Sequence, residues 1–207
     1  MKTKVIASII AKNQKELNER LKKTAPVRNF QLDVMDGKFV KNKSLMFDFK
    51  LPKVKGNYEA HLMIKNPELW IKKNAIKVNT IIFHYEAVKD VGKTIKLIKS
   101  KKKRVGIAIN PNTSIEKIKP YLDQVYLILI MTVHPGKYGA KFVLSTLKKI
   151  KQLRKMKRKL NIEVDGSIND KTVIRVIKAG ANMFVSGSYL QKSKNIKDSV
   201  AKLKKAL

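Results

Sequence analysis

The stretch QLDVMDGKFV, residues 31–40, places a short apolar strand directly before a polar turn. Gln31 and Asp33 are two residues apart, so on a strand their side chains point to the same face, which in an α/β protein is normally buried. Burying a carboxylate costs free energy, so a carboxylate on such a face is expected to bind a metal, transfer a proton or pair with a buried partner. The stretch therefore predicts a buried strand that carries chemistry.

The same strand-like pattern recurs along the whole chain. Lysine-rich helical segments separate most of the apolar runs, and no linker or composition shift divides the chain. Eight buried-type strands that alternate with helices predict an α/β fold, a single-domain (β/α)8 TIM barrel over residues 1–207. The predicted strands are 4–8, 30–34, 58–63, 79–85, 104–109, 124–131, 161–165 and 182–186, and the predicted helices are 13–23, 67–74, 90–100, 114–119, 141–158, 170–179 and 194–206.

The composition limits the class of protein. The chain of 207 residues has no cysteine, which excludes disulfides and thiolate metal sites and fits a reducing compartment. No apolar run approaches the roughly 18 to 20 residues that span a bilayer. The apolar patch near the start is interpreted as a first strand and not as a signal peptide, because charged residues follow at once. We expect a soluble, cytoplasmic protein with no membrane partner.

The net charge of +32 is the unusual global property. It gives non-specific attraction to RNA, DNA and anionic surfaces, and it also draws in anionic sugar phosphates. No nucleic-acid recognition motif accompanies the charge, and the lysines are spread along the chain. A general surface bias is therefore favoured over a specific nucleic-acid site.

Polar side chains follow several of the predicted strands, at the end of a parallel barrel where functional groups lie. Asp33 and Asp165 come from the second and seventh strands, across the mouth from one another. That arrangement suits two acid/base groups that address opposite faces of one carbon. Either Asp alone is more often a helix cap or a turn former than a catalytic residue, but the opposed pair together with His61 indicates a site.

The same residues indicate a metal site. His61 and Met63 repeat the spacing of Gln31 and Asp33, so His61 reaches inward beside Asp33. A lone strand histidine is often a core residue, but with Asp33, Asp165 and the Gln31 amide oxygen it predicts an oxygen-rich divalent-metal site.

Methionines and glycine turns complete the set of strand-end features. Three methionines are either core filler or an apolar collar that keeps water from a reactive intermediate. Three glycine-bearing turns are candidates for phosphate binding through backbone N–H groups. The methionines are Met35, Met63 and Met131, and the turn residues are Gly136, Gly139, Gly166, Gly187 and Ser188.

Over nearly its whole length the chain resembles the ribulose-phosphate 3-epimerase family. The resemblance is carried, in order, by Ser8 and by DVMDGKFV at 33–40, HLMIKNPE at 61–68, FHYEA at 83–87, GIAINPNT at 106–113, MTVHPGKYGAKF at 131–142, EVDGSIN at 163–169 and FVSGSYL at 184–190. It implies a (β/α)8 barrel that interconverts D-ribulose 5-phosphate and D-xylulose 5-phosphate at C3. It also implies a homo-oligomer, a dimer or a hexamer.

The resemblance also implies the roles of single residues. Asp33 and Asp165 would be the two acid/base residues, and with His61 they would hold a divalent zinc, iron or manganese ion that stabilises an enediolate. His61 also adjoins the substrate site. Substrate and phosphate contacts would come from Ser8, Met35, Met63, Met131, Gly136, Gly139, Gly166, Gly187 and Ser188.

The chain departs from the family pattern at several positions. Gln31 stands where the family has histidine, and an amide oxygen is a poorer ligand than imidazole for these metals. Gln31 is therefore a weaker fourth ligand, and metal use is weakened or altered. Ser167 replaces a usual glycine, and this strains the turn if its φ is positive. Lys137 and Tyr138 replace a common Phe-Gly pair.

Two alternative functions stay open from the sequence. One is a 3-epimerase of a ketohexose 6-phosphate, because the same two-base chemistry would serve and loop shape sets substrate length. The other is a metal-deficient basic barrel that acts as a binding protein, for instance for RNA.

Overall fold

The computed structural model describes residues 3–135 and 140–205. Eight of its strands are parallel, and their bounds agree with the predicted runs to within a few residues. They are β1 (Lys4–Ile9), β2 (Asn29–Asp36), β4 (Asn57–Met63), β5 (Thr80–His84), β6 (Arg104–Ile109), β7 (Leu127–Met131), β8 (Asn161–Asp165) and β9 (Met183–Ser186), and β3 (Lys43–Ser44) is a short antiparallel addition to β2.

The parallel strands close into a barrel. Each strand pairs with the next in the order β1, β2, β4, β5, β6, β7, β8 and β9, and β9 pairs with β1. The predicted α/β class and the (β/α)8 TIM barrel are therefore confirmed. Because the eight strands of the closed ring are parallel, all their C-terminal ends lie at the same mouth of the barrel.

Helices cover the outside of the ring. They are α1 (Gln14–Lys23), α2 (Glu68–Asn74), α3 (Val91–Ser100), α4 (Thr146–Met156), α5 (Val173–Ala179), α6 (Ser188–Gln191) and α7 (Ile196–Lys205). The start of α1 shows how the sequence sets a boundary. Asn13 accepts a hydrogen bond from the Glu16 N–H at 2.9 Å, and a Glu16 carboxylate oxygen accepts one from the Lys12 N–H at 3.0 Å.

One predicted helix differs in type. The segment predicted at 114–119 is a 3₁₀ helix over Ile115–Tyr121, with Ser114 as its N-cap. Pro120 lies inside it, and proline lacks the N–H that an α-helix needs at an interior position. Further 3₁₀ turns cover Ala25–Val27, Ala75–Lys77 and Tyr85–Ala87. The sequence did not predict these turns, β3 or α6.

Alternation along each strand separates two cores. On β2 the residues Phe30, Leu32 and Val34 face the helices and belong to the large core between sheet and helices, while Gln31 and Asp33 face the barrel interior. A second apolar cluster fills the interior and includes Ile6, Ile82, Leu129 and Met183. Among the described residues, no helix is long and apolar enough to cross a membrane.

Candidate active site

The candidate site lies where β2, β4 and β8 end at the barrel mouth. In the sheet register Asp33 is opposite His61 on the neighbouring strand, and Asp165 is opposite Met131 on β7. Asp33 and Asp165 come from β2 and β8, which are separated in the ring by β1 and β9. The two carboxyl groups nevertheless converge, because both side chains point inward from strands of a closed barrel.

Gln31 links the two carboxyl groups. Its Nε2 donates to Asp33 Oδ1 at 2.8 Å and to Asp165 Oδ2 at 2.7 Å. An amide nitrogen carries two protons, so each carboxylate receives one. Gln31 is fully buried, and its Oε1 has no hydrogen-bond partner among the described residues.

His61 lies beside both carboxyl groups and is fully buried. Its Nδ1 is 3.3 Å from Asp33 Oδ1 and 3.6 Å from Asp165 Oδ2. Burial alone would lower the pKa of His61, but the hydrogen bonds and charges of the two carboxylates outweigh burial and raise this pKa to about 9. Without a metal, His61 is therefore a cation at neutral pH and lies beside both carboxyl groups.

The two aspartates have different surroundings. Ser8 Oγ donates to Asp33 Oδ2 at 2.5 Å, so Asp33 has a donor on each oxygen. Burial and the nearby charge of Asp33 raise the pKa of Asp165, against the lowering effect of His61 and Gln31. Asp165 therefore holds a proton more readily than an aspartate in water.

Asp33, His61 and Asp165 fit a divalent cation. Each offers one ligand atom, and these atoms lie within 4.8 Å of one another. Two carboxylate oxygens and one imidazole nitrogen form a donor set that zinc, iron and manganese accept. The ligand atom that Gln31 offers is Oε1, the buried oxygen for which the described ranges contain no hydrogen-bond partner. In the structure Nε2, and not Oε1, faces the carboxylates.

A cleft at the mouth brings most of the predicted site residues together. The three predicted methionines line it next to the two aspartates and Ser8. Ser167 and Ile168 also line it, and Gly136 and Gly139 lie outside the described residues. The predicted residues along the cleft are Ser8, Asp33, Met35, Met63, Met131, Asp165, Gly166, Gly187 and Ser188, while His61 lies buried behind them.

The turn after β8 has an unusual backbone. Gly166 has φ +123°, and a Cβ there would lie 2.5 Å from Val133 Cγ2. Ser167 follows with φ +55°, so the positive φ considered from the sequence is present. Its hydroxyl donates to the Ala140 carbonyl. The turn is thus held tightly against the end of β7.

Two residues with no role in the sequence analysis lie directly behind His61. His84 Nε2 is 2.9 Å from His61 Nε2, and His84 Nδ1 is 3.2 Å from Glu86 Oε2. The signal in the sequence is the His-x-Glu pair at the end of the fourth parallel strand. The sequence alone did not show that this pair contacts His61.

A second unpredicted pair lies deeper in the barrel. Glu59 and Glu163 are both buried, two residues before His61 and Asp165 on their strands. Burial raises the pKa of Glu59 to about 7, and burial together with the charge of Glu59 raises the pKa of Glu163 well above its usual range. Glu163 therefore holds its proton to a higher pH than an exposed glutamate does.

Comparison with known proteins identifies the family. A family model described as "Ribulose-phosphate 3 epimerase family" matches residues 4–191. The chain belongs to this family. The ribulose-phosphate 3-epimerase of Bacillus subtilis is 36% identical over 84% of this chain and 84% of its own length. That of Methanocaldococcus jannaschii is 36% identical over 98% of this chain and 90% of its own.

Family membership confirms the prediction of a sugar-phosphate epimerase, an isomerase. The family is metal-dependent, in agreement with the ligand group described above. More distant solved structures share the barrel alone. The 3-hexulose-6-phosphate synthase of Salmonella typhimurium has a TM-score of 0.69 at 13% identity, covering 99% of this chain and 98% of that chain. The orotidine 5'-monophosphate decarboxylase of Sulfolobus solfataricus has a TM-score of 0.64 at 13% identity, covering 99% of this chain and 96% of that chain.

Proposed function

We propose that this chain interconverts D-ribulose 5-phosphate and D-xylulose 5-phosphate by two-base proton transfer at C3. The family supports the substrate, because the relatives carry the name ribulose-phosphate 3-epimerase. The observation that carries the mechanism is the convergence of Asp33 and Asp165 on one cleft from strands that are not neighbours. Epimerisation removes a proton from one face of a carbon and returns one to the other face.

The surroundings of the two aspartates support different starting states. Ser8 and Gln31 donate to the two oxygens of Asp33, which fixes its orientation towards the cleft. Asp165 holds a proton more readily because burial and the charge of Asp33 raise its pKa. One group accepts the C3 proton while the other donates, and the reverse reaction exchanges the roles.

Asp33, His61 and Asp165 would hold the divalent metal, with Gln31 as a weaker fourth ligand. A bound divalent ion supplies Lewis-acid chemistry, which here means polarising the C2 carbonyl and offsetting the negative charge of the enediolate. Zinc, iron and manganese all accept this donor set.

The remaining cleft residues would bind and shield the sugar phosphate. Met35, Met63 and Met131 line the cleft beside the carboxyl groups and exclude water from the enediolate. Gly166, Gly187 and Ser188 lie after β8 and β9, where phosphate sites of barrels are common. Ser8 contacts Asp33 and faces the same cleft.

The test is turnover of ribulose 5-phosphate in a coupled assay, in the wild type and in two isosteric variants. We expect Asp33→Asn and Asp165→Asn each to reduce kcat by at least about a hundredfold, because an amide cannot exchange the proton. Asp48→Asn is the matched control, since the side chain of Asp48 is 93% exposed. Turnover that survives both site substitutions would show that these carboxyl groups are not the acid and base. The same assay with a hexulose 6-phosphate measures the preference for chain length.

A further inference from the structure

The proposed function leaves His84 and Glu86 without a role. His84 is fully buried on β5, and its ring stacks on that of His61 with centroids 5.0 Å apart. Phe39 covers His84 at 4.7 Å between ring centroids. A histidine held in one plane by two rings, with both nitrogens in contact with polar atoms, is positioned for a directed hydrogen bond.

Glu86 determines which atom is the donor in each hydrogen bond from Glu86 through His84 to His61. The side chain of Glu86 is 22% exposed. Its Oε1 accepts from the Asn110 N–H at 2.8 Å and from the Thr113 hydroxyl. Burial would raise the pKa of Glu86, but the hydrogen bonds from His84, Thr113 and Asn110 lower it to about 2. An ionised carboxylate only accepts, so His84 Nδ1 must donate to Glu86 Oε2.

The position of the His84 proton on Nδ1 determines the donor and the acceptor in the contact between His84 and His61. In its neutral form, a buried imidazole whose Nδ1 donates to a carboxylate offers its Nε2 as an acceptor, and His84 has this arrangement. His61 Nε2, 2.9 Å away, is then the donor. The nitrogen of His61 that faces the two carboxylates is Nδ1.

We propose that Glu86 and His84 are positioning residues, which hold the proton of His61 on Nε2 and so reserve Nδ1 as the ligand atom for the divalent cation. The proposal rests on the metal site of the proposed function. Metal-bound histidines commonly donate their second N–H to a partner that fixes the ring and its tautomer. Here that partner is a neutral histidine, oriented in turn by a carboxylate.

Glu86→Gln is the sharpest variant, because it keeps the shape and reverses one hydrogen bond. The fixed Asn110 N–H needs an acceptor, so the amide oxygen turns to it and the NH2 group faces His84. His84 Nδ1 must then accept a hydrogen bond from this NH2 group, so the single proton of the His84 ring moves to Nε2. There it faces the N–H of His61 Nε2, and the two donors repel each other. We expect Zn2+ affinity, measured by competition with a chromophoric chelator, to fall about ten- to a hundredfold.

The tautomer itself is a readout that a merely structural role would not move. The chain has 3 histidines, so ¹⁵N-histidine NMR of the metal-free protein is readily assigned. We expect His84 to be protonated on Nδ1 in the wild type and on Nε2 in Glu86→Gln. Glu116→Gln is the matched control, an exposed glutamate whose replacement leaves both the tautomer and the Zn2+ affinity unchanged.

A second pair of variants keeps the proposal testable if Glu86→Gln folds poorly. His84→Gln retains an acceptor for His61 and a donor for Glu86, while His84→Leu retains only the volume. We expect His84→Gln to bind Zn2+ within about tenfold of the wild type and His84→Leu to bind it clearly more weakly.

Two results would overturn the proposal. One is a wild-type His84 protonated on Nε2, and the other is equal Zn2+ affinity in the wild type, Glu86→Gln and His84→Leu. Neither measurement uses sugar-phosphate turnover. A chain that proves to lack epimerase activity but shows the expected tautomer and affinities would refute the proposed function and retain the positioning role.

Discussion

At the scale of single residues, Gln31 distinguishes this chain from the pattern its family resemblance implies. The amide gives one proton to each of Asp33 and Asp165, and its buried oxygen has no hydrogen-bond partner in the part of the chain that the structure describes. The donors offset the repulsion between two carboxylates that otherwise have His61 as their shared cation. Gln31 therefore stabilises the metal-free arrangement, and it offers a poorer ligand than imidazole once a cation is present.

Gln31→His tests this balance. We expect Zn2+ affinity to rise by about tenfold or more, because an imidazole nitrogen is a better ligand than an amide oxygen. We also expect a lower Tm than the wild type in the presence of a chelator, because the two-proton bridge is lost. Chelator competition and thermal unfolding with and without Zn2+ measure both effects.

The control for this substitution is Gln124→His, at an exposed glutamine outside the site. It adds the same imidazole to the chain and leaves the ligand group intact. Equal Zn2+ affinity in Gln31→His and the wild type would argue against Gln31 as the residue that limits metal binding.

At the scale of elements, the turn between β8 and α5 sets the shape of the cleft. Gly166 at φ +123° lies against Val133, where a Cβ has no room. Ser167 at φ +55° is in the left-handed region, which disfavours residues with a Cβ by roughly 1–2 kcal/mol. Its hydroxyl bond to the Ala140 carbonyl partly offsets that strain.

Ser167→Gly and Ser167→Ala separate the strain from the hydrogen bond. Both lose the hydroxyl, but only glycine relieves the left-handed strain. We expect Ser167→Gly to have a free energy of unfolding about 1 kcal/mol higher than that of Ser167→Ala, measured by urea denaturation. At an ordinary loop position the order is reversed, because glycine gains more entropy in the unfolded chain. Equal free energies of unfolding for the alanine and glycine variants would show that the backbone at position 167 relaxes and that its positive φ carries no strain.

At the scale of the whole molecule, the net charge of +32 favours the approach of an anionic ligand such as the proposed sugar phosphate. A second cleft adjoins the first and shares Ile10, Met35 and Asn42 with it. Basic residues line this second cleft, namely Lys12, Arg20, Lys41 and Lys43. Positive potential at a cleft raises the local concentration of anionic ligands and their rate of association.

Salt dependence tests this steering. Raising the ionic strength from about 0.01 M to about 0.1 M shortens the Debye length from about 30 Å to about 10 Å. We expect kcat/KM for ribulose 5-phosphate to fall several-fold while kcat changes little, because screening acts on encounter and not on the chemistry.

Charge variants locate the effect on the molecule. The double variant Lys41→Gln and Lys43→Gln should lower kcat/KM at low salt and flatten its salt dependence. The control is Lys99→Gln with Lys101→Gln, which removes the same charge near the end of α3, immediately before β6. Equal losses in both double variants would mean that net charge, and not its placement at the cleft, governs association.

The architecture was readable from the sequence because it depends on local patterns. Eight apolar runs with turn residues between them mark eight buried strands, and their alternation with helices leaves few topologies. The 3₁₀ segment Ile115–Tyr121 and the strand Lys43–Ser44 were not predicted, because such short elements depend on neighbours more than on periodicity. The dimer or hexamer implied by the resemblance stays a prediction.

For the site, the sequence by itself determined which strand ends carry Asp33, His61 and Asp165, because side chains alternate with a fixed period of two. Only the tertiary structure decided that Gln31 donates to both carboxylates and that His84 and Glu86 stand behind His61. The contacts Gln31–Asp165 and His61–His84 join residues that are 134 and 23 positions apart in the chain, and the roles of the two histidines depend on the positions of single protons. No periodicity encodes such contacts, because barrel closure and side-chain packing set them together.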